Sequence, residues 1–233
     1  FYRTNSQSRA IEELLVRQGI PYRVVGGTRF YERAEIKDAL AYLQVISNPD
    51  DTVALRRIIN TPRRGIGAKA EADLIAHSDR YGISMGAAAR DCWISQGRGL
   101  GEAEGTGLTL AELPKEEAEE TRGGVAGLSP RAASAIADFW GLIEAMRRAE
   151  QAGASAAEIL EEVLDRTGYL ATLRRSQDPQ DASRVENLAE LHAVALDYVQ
   201  TSGEVGLAGF LERVALVADS DQLPEEESGS GQV

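Results

Sequence analysis

The sequence predicts a mainly α-helical protein with a small β-α-β piece at its N-terminus. Three observations point there. From Glu32 onward apolar residues recur three and four apart, and no alternating run reads as a strand. The β-rich runs, "FYRTN" and "YRVVGG", are confined to the first 27 residues. Asn-Pro and glycine stops and Asp/Thr starts then punctuate the helical stretches at positions that suit caps.

Taken in order, "FYRTN" is the tail of a strand, and Asn5 or Ser6 is placed to cap a helix through "SRAIEELLVRQ". Ile11, Leu14 and Leu15 fall at helical spacing there, and Gly19 ends it. "YRVVGG" is a short strand closed by two glycines. A strand tail and one short strand do not make a stable sheet, so the N-terminus is expected to belong to a domain whose other strands lie elsewhere. "RAEIKDALAYLQVIS" sets apolar residues at 36, 40, 43 and 46, an amphipathic helix stopped by Asn48 and Pro49. "DDTVALRRIIN" follows with Asp50, Asp51 or Thr52 as its cap, and "AKAEADLIAHSDRYG" is helical up to Gly82. Further helices are expected at 84–94, 130–149, 155–166, 182–200 and 204–218. Residues 97–126 hold 7 glycines and 7 acids and are expected to form a flexible acidic insertion, with a similar tail from Asp219.

Composition narrows the function classes. A 43% apolar fraction over 233 residues supports a real core. The apolar runs are short and interrupted by charge, and the opening residues lack the order of a signal peptide; the expectation is a soluble, cytoplasmic protein with no membrane partner. A lone Cys92 excludes an internal disulfide, and with His77 and His192 far apart no metal site is expected. The net charge of −12 is unevenly distributed. Residues 1–67 hold 11 Lys and Arg against 7 Asp and Glu, whereas the remainder holds 14 against 30. A phosphate responds to the nearby field, since screening sets in over ~8 Å at physiological salt.

The basic part contains "NTPRRGIGAKA" at 60–70. Two helices joined by a short loop with glycines around one apolar residue form a helix-hairpin-helix, with Ile66 as the core anchor and glycine supplying unusual backbone angles. Amides of the turn and of the next helix's first turn then make an anion site, typically for phosphate. Arg56, Arg57, Arg63, Arg64 and Lys69 add charge on or near that lip, and no side chain is placed to read bases. The expected mode is sequence-independent duplex binding. The plainer alternative is a glycine-rich connector on a basic surface. "GLSPRAASAIADFW" gives a second candidate contact at Gly127, Ser129 and Arg131, with Pro130 at the first helical position; an ordinary helix start explains it equally well.

No catalytic constellation emerges. A Walker A loop needs Gly before its Lys, yet Lys37, Lys69 and Lys115 follow Ile36, Ala68 and Pro114. "GRGLG" at 97 follows no strand, as a dinucleotide loop would. The pairs Asp50/Asp51 and Glu161/Glu162 read as caps and solvated faces, and Trp93, Trp140, Tyr169 and Phe210 as core.

"YRTNSQSRAIEE", "GIPYRVVGGTRFYERAEIKDALAYL", "NPDDTVALRRIINTPRRGIG" and "SRVENLAEL" resemble, in this order and spacing, the UvrD/PcrA class of superfamily 1 DNA helicases. The resemblance implies ATP-driven 3′ to 5′ unwinding in DNA repair and replication, by a parent protein with two RecA-like motor domains that use ATP and Mg²⁺. It implies that 1–31 is part of motor domain 2A, that 32–220 is the helical 2B subdomain, and that 221–233 is a linker returning to 2A. On this view the chain is a segment of the helicase that lacks the ATP-site motifs, holds no cofactor and is inactive alone. Thr61, Arg63, Arg64, Gly65, Ile66, Gly67 and Lys69 map to the family's duplex-gripping loop, and Arg3, Asn5 and Arg29 to positions along the single strand. Gly26–Glu32 and the segment after Val217 map to hinges. The implied partners are DNA, the remaining helicase domains and repair or transcription proteins. A free-standing helix-hairpin-helix protein and a protein-docking helical module remain as alternatives.

Overall fold

A computed structural model describes residues 30–97, 123–202 and 206–220, together with Leu14, Leu15 and Gln18. The predicted β-α-β piece, most of the acidic insertion and most of the C-terminal tail lie outside these residues; Asp219 and Ser220, the first two residues of that tail, are helical, and of the first predicted helix Leu14 and Leu15 are described and are helical. The regular elements among the described residues are all helices, with no strand among them, as the sequence pattern predicts.

A 3₁₀ turn, Phe30–Glu32, leads into α1, Ala34–Ser47. Nine of the fourteen residues of α1 are buried, so this helix is covered on nearly all sides and is the axis of the body. The predicted stripe Ile36, Leu40, Leu43 and Ile46 is fully inside. Around α1 pack α2 (Thr52–Ile58), α5 (Pro130–Gln151), α6 (Ala156–Arg166), α8 (Pro179–Ser202) and α9 (Leu207–Ser220). The remaining helices, α3 (Ala68–Tyr81), α4 (Met85–Ser95) and α7 (Tyr169–Arg175), complete the shell.

Local chemistry sets the boundaries. Asn48 ends α1; of the three candidate caps, Asp51 is the one that receives the Ala54 amide, at 2.9 Å, and starts α2. Gly82 closes α3 in the left-handed region at φ 63°. Ser155 and Glu158 form a reciprocal capping box at the start of α6. The Ser155 hydrogen bonds hold the Glu158 carboxyl below its usual range. The sequence pattern misses α7: its seven residues bury no side chain fully, and Tyr169, Leu170 and Leu173 only rest against the core. Tyr169 is accordingly half-buried, whereas Trp93, Trp140 and Phe210 are core as expected.

Two polar clusters fix helices to each other. The Arg33 guanidinium donates to Asn187 Oδ1 at 2.9 Å, and the Asn187 amide donates to Glu35 Oε1 at 2.6 Å, all three residues being buried. The foot of α1 is thereby tied to α8, inside the "SRVENLAEL" stretch. His77 on α3 meets Asp91 on α4 at 3.0 Å, also buried. Close backbone approach does the same between α4 and the turn after α1, because a side chain at Gly86 would run into the Pro49 carbonyl.

Candidate nucleic-acid interface

The segment between α2 and α3, residues 59–67, carries the sequence-predicted site. Ile66 is 3% exposed and anchors the loop in the core, a burial worth about 1.5–3 kcal/mol. Gly65 beside it has φ +83°, a conformation that favours glycine. The Thr61–Pro62 peptide bond is cis. The Thr61 hydroxyl donates to the Arg57 carbonyl at 3.1 Å, and Asn60 Oδ1 accepts the Arg64 amide at 2.8 Å.

Arg63 and Arg64 are neighbours with opposite fates. Arg63 is exposed, and its side chain has no partner among the described residues. Arg64 turns inward. Its Nη1 donates to the carbonyls of Ile58, Thr61 and Pro62 at 3.0–3.2 Å, and its Nη2 donates to the Tyr42 hydroxyl at 2.6 Å. The guanidinium also lies 5.2 Å from the Phe139 ring centre and 5.8 Å from that of Tyr42. Tyr42 in turn donates its hydroxyl to the Thr61 carbonyl. Burial, opposed by Arg64, pushes the Tyr42 hydroxyl up to about 12, so it remains a neutral donor at physiological pH.

The start of α3 differs from its neighbours. At α2, α4, α5 and α6 a side-chain oxygen of Asp51, Ser84, Ser129 or Ser155 accepts a first-turn amide. At α3 the cap is Gly67, which has no side chain to do so. Gly65, Gly67, Ala68 and Lys69 are exposed, and their N–H groups meet no acceptor among the described residues. Four amides without a protein acceptor among the described residues, on exposed residues at and just before the positive end of a fourteen-residue helix, favour an anion.

Nearby charges are mostly paired. Arg56 bonds Glu71 at 2.6 Å, and Arg57 bonds Asp38 at 2.7 Å. Lys69 Nζ bonds Asp73 at 2.8 Å and also donates to the Gly127 carbonyl at 2.9 Å. This last contact joins the two sequence-predicted loops. Gly127 has φ +88°, and a Cβ there would lie 3.0 Å from Asp73 Oδ1, so the second loop rests against the first turns of α3. The second loop offers fewer donors: Pro130 has no N–H, and Ser129 Oγ occupies the Ala132 amide at 3.2 Å. Arg131 is exposed beside it.

Arg3, Asn5 and Arg29 lie outside the described residues. The sequence reading does not single out Tyr42, Asn60, Phe139 or Asp73 as parts of this site. Asn60 alone carries a local signal, an amide side chain at the end of a helix.

The profile of the UvrD-like helicase C-terminal domain matches residues 1–229. The ATP-dependent DNA helicase UvrD1 of Mycobacterium tuberculosis H37Rv is 41% identical over 243 residues, covering 98% of this chain and 28% of the relative. UvrD1 of Mycobacterium leprae is 38% identical with the same coverage. The ATP-dependent DNA helicase PcrA of Bacillus subtilis is 36% identical, covering 99% of this chain and 27% of its own length. The chain thus spans little more than a quarter of the length of these relatives.

Proposed function

Because the chain belongs to the UvrD-like helicase family, through its C-terminal domain, we propose that its helical body is the 2B subdomain of an ATP-dependent DNA helicase. In this role it grips the duplex ahead of the fork through a helix-hairpin-helix formed by α2, the 59–67 loop and α3. The observation that carries this proposal is the row of amides at the exposed residues Gly65, Gly67, Ala68 and Lys69, which meet no acceptor among the described residues, beside Arg63, whose side chain has no partner among them. Phosphate oxygens accept from such amides without regard to base sequence, which suits an enzyme that moves along DNA. Arg131, brought alongside by the Lys69–Gly127 contact, adds a second cation toward the same backbone.

Residues 1–31 are part of motor domain 2A, with Arg3, Asn5 and Arg29 along the single strand, and 221–233 return to it. The body swings about Gly26–Glu32 and the segment after Val217. The buried Arg33–Asn187–Glu35 chain supports this division, because it fixes the first residues after the hinge to α8 as one unit. No lysine of this chain follows a glycine, as the phosphate-cradling Walker A loop requires. We assign ATP and Mg²⁺ to the rest of the parent protein, and no step of hydrolysis to these residues.

The test compares binding of the complete protein to a tailed duplex and to the tail alone, over a salt series. The difference isolates the duplex grip. Arg63→Ala should shrink that difference and flatten its salt slope by about 1. A difference that is unchanged in affinity and slope would show that the loop does not touch the duplex.

A further inference from the structure

We infer that Tyr42 and Arg64 are positioning residues for duplex binding, holding the open amides of the loop in place without touching DNA. This role rests on the proposed duplex grip of the 59–67 loop. The Arg64 guanidinium turns Nη1 and Nη2 into the protein, toward three carbonyls of the α2 end and the turn and toward the Tyr42 hydroxyl. One of those carbonyls, that of Ile58, belongs to the last turn of α2, where a cation also offsets the negative helix end. The flat cation faces Tyr42 of α1 and Phe139 of α5, two rings that are each 1% exposed. The Tyr42 hydroxyl closes the circuit by donating to Thr61, one of the same carbonyl residues. A single planar group therefore ties the loop to two helices of the core. The following residue, Gly65, is the first of the exposed amides.

Two properties separate this role from phosphate contact. A phosphate contact needs charge, which lysine keeps; the bracing role needs the fork and the flat face, which lysine lacks. Tyr42 is buried, so its hydroxyl reaches DNA only through Arg64 and Thr61.

The experiment measures duplex-dependent binding of the complete protein, as above, for Arg64→Lys, Tyr42→Phe and Arg63→Ala. Thermal melts confirm that each variant is folded; Tyr42→Phe removes one oxygen and keeps the ring, which safeguards the series should Arg64→Lys fail to fold. The expected result is a roughly tenfold weaker duplex increment for Arg64→Lys and for Tyr42→Phe, with the salt slope preserved. Duplex binding by Tyr42→Phe equal to or tighter than the parent's, while Arg63→Ala weakens it, would overturn the bracing role alone. So would an Arg64→Lys variant with full affinity. If Arg63→Ala is itself silent, the duplex grip fails, and the positioning role falls with it.

Discussion

Gly65 and Gly67 stand two residues apart in one loop, yet the same substitution should act on them by different means. At Gly65 the backbone has φ +83°, and nothing lies within 4 Å of an added Cβ. The cost of Gly65→Ala is therefore conformational, about 1–2 kcal/mol for forcing an L-residue into the left-handed region. In a domain of this size that lowers Tm by roughly 2–8 °C. At Gly67 the backbone is extended, φ −89° and ψ 174°, and an added Cβ again meets nothing within 4 Å. Gly67→Ala should leave stability within about 0.5 kcal/mol, since the loss at a cap position is offset by the stiffer unfolded chain. Duplex binding should nevertheless fall, because the new methyl stands on the exposed lip where the phosphate must approach the Ala68 and Lys69 amides. Losing one charge-assisted amide bond is worth about 1.5–3 kcal/mol, roughly ten- to a hundredfold in Kd. Differential scanning calorimetry and anisotropy titrations with tailed and blunt duplexes give the two readouts. A Gly67→Ala protein with unaltered melting and unaltered duplex affinity would refute the close-approach reasoning.

Three further outcomes follow from the packing. Asn187→Ala should destabilise the protein by about 2–3 kcal/mol in urea unfolding, because Arg33 and Glu35 are left buried without their bridging amide. Gly86→Ala should cost about 3 kcal/mol, since the new Cβ falls on the Pro49 carbonyl and a backbone must shift to admit it; a fully stable variant would show that α4 moves freely. Cys92 should resist thiol reagents at pH 8 until the protein unfolds, as it is 1% exposed and burial pushes its thiol up to about 11 from 9.0. Its contribution to stability is complete below pH 9 and is lost as the pH rises through about 11, because the native state then holds a proton that the unfolded state has released. Cys92→Ala should flatten that alkaline loss.

Much of the helical framework was legible because its signals are local. The spacing of Ile36, Leu40, Leu43 and Ile46, the Asn48-Pro49 stop, the cap among Asp50, Asp51 and Thr52 and the Gly82 terminus each act within a few residues of themselves. The α7 helix escaped notice for the same reason: it is too short for a periodic pattern and is held by contacts with α6 and α8. At the candidate site, the glycines and Ile66 announced a tight, anchored turn, while the glycine cap of α3 emerged only in the structure. The pairings of Arg56 with Glu71 and of Lys69 with both Asp73 and Gly127 cross between elements, and no spacing rule predicts them.

By itself the sequence determined the helical character and the order of most helices, since periodicity depends on neighbours along the chain, and its motifs carried the resemblance to a helicase family. Only the tertiary structure decided which of two adjacent arginines faces solvent. Arg63 and Arg64 have the same side chain and the same local context, and they diverge because α1 and α5 bring the Tyr42 hydroxyl and the Phe139 ring to one of them. A guanidinium turns inward only where carbonyls, hydroxyls and ring faces receive it, and that set is assembled by packing between distant parts of the chain.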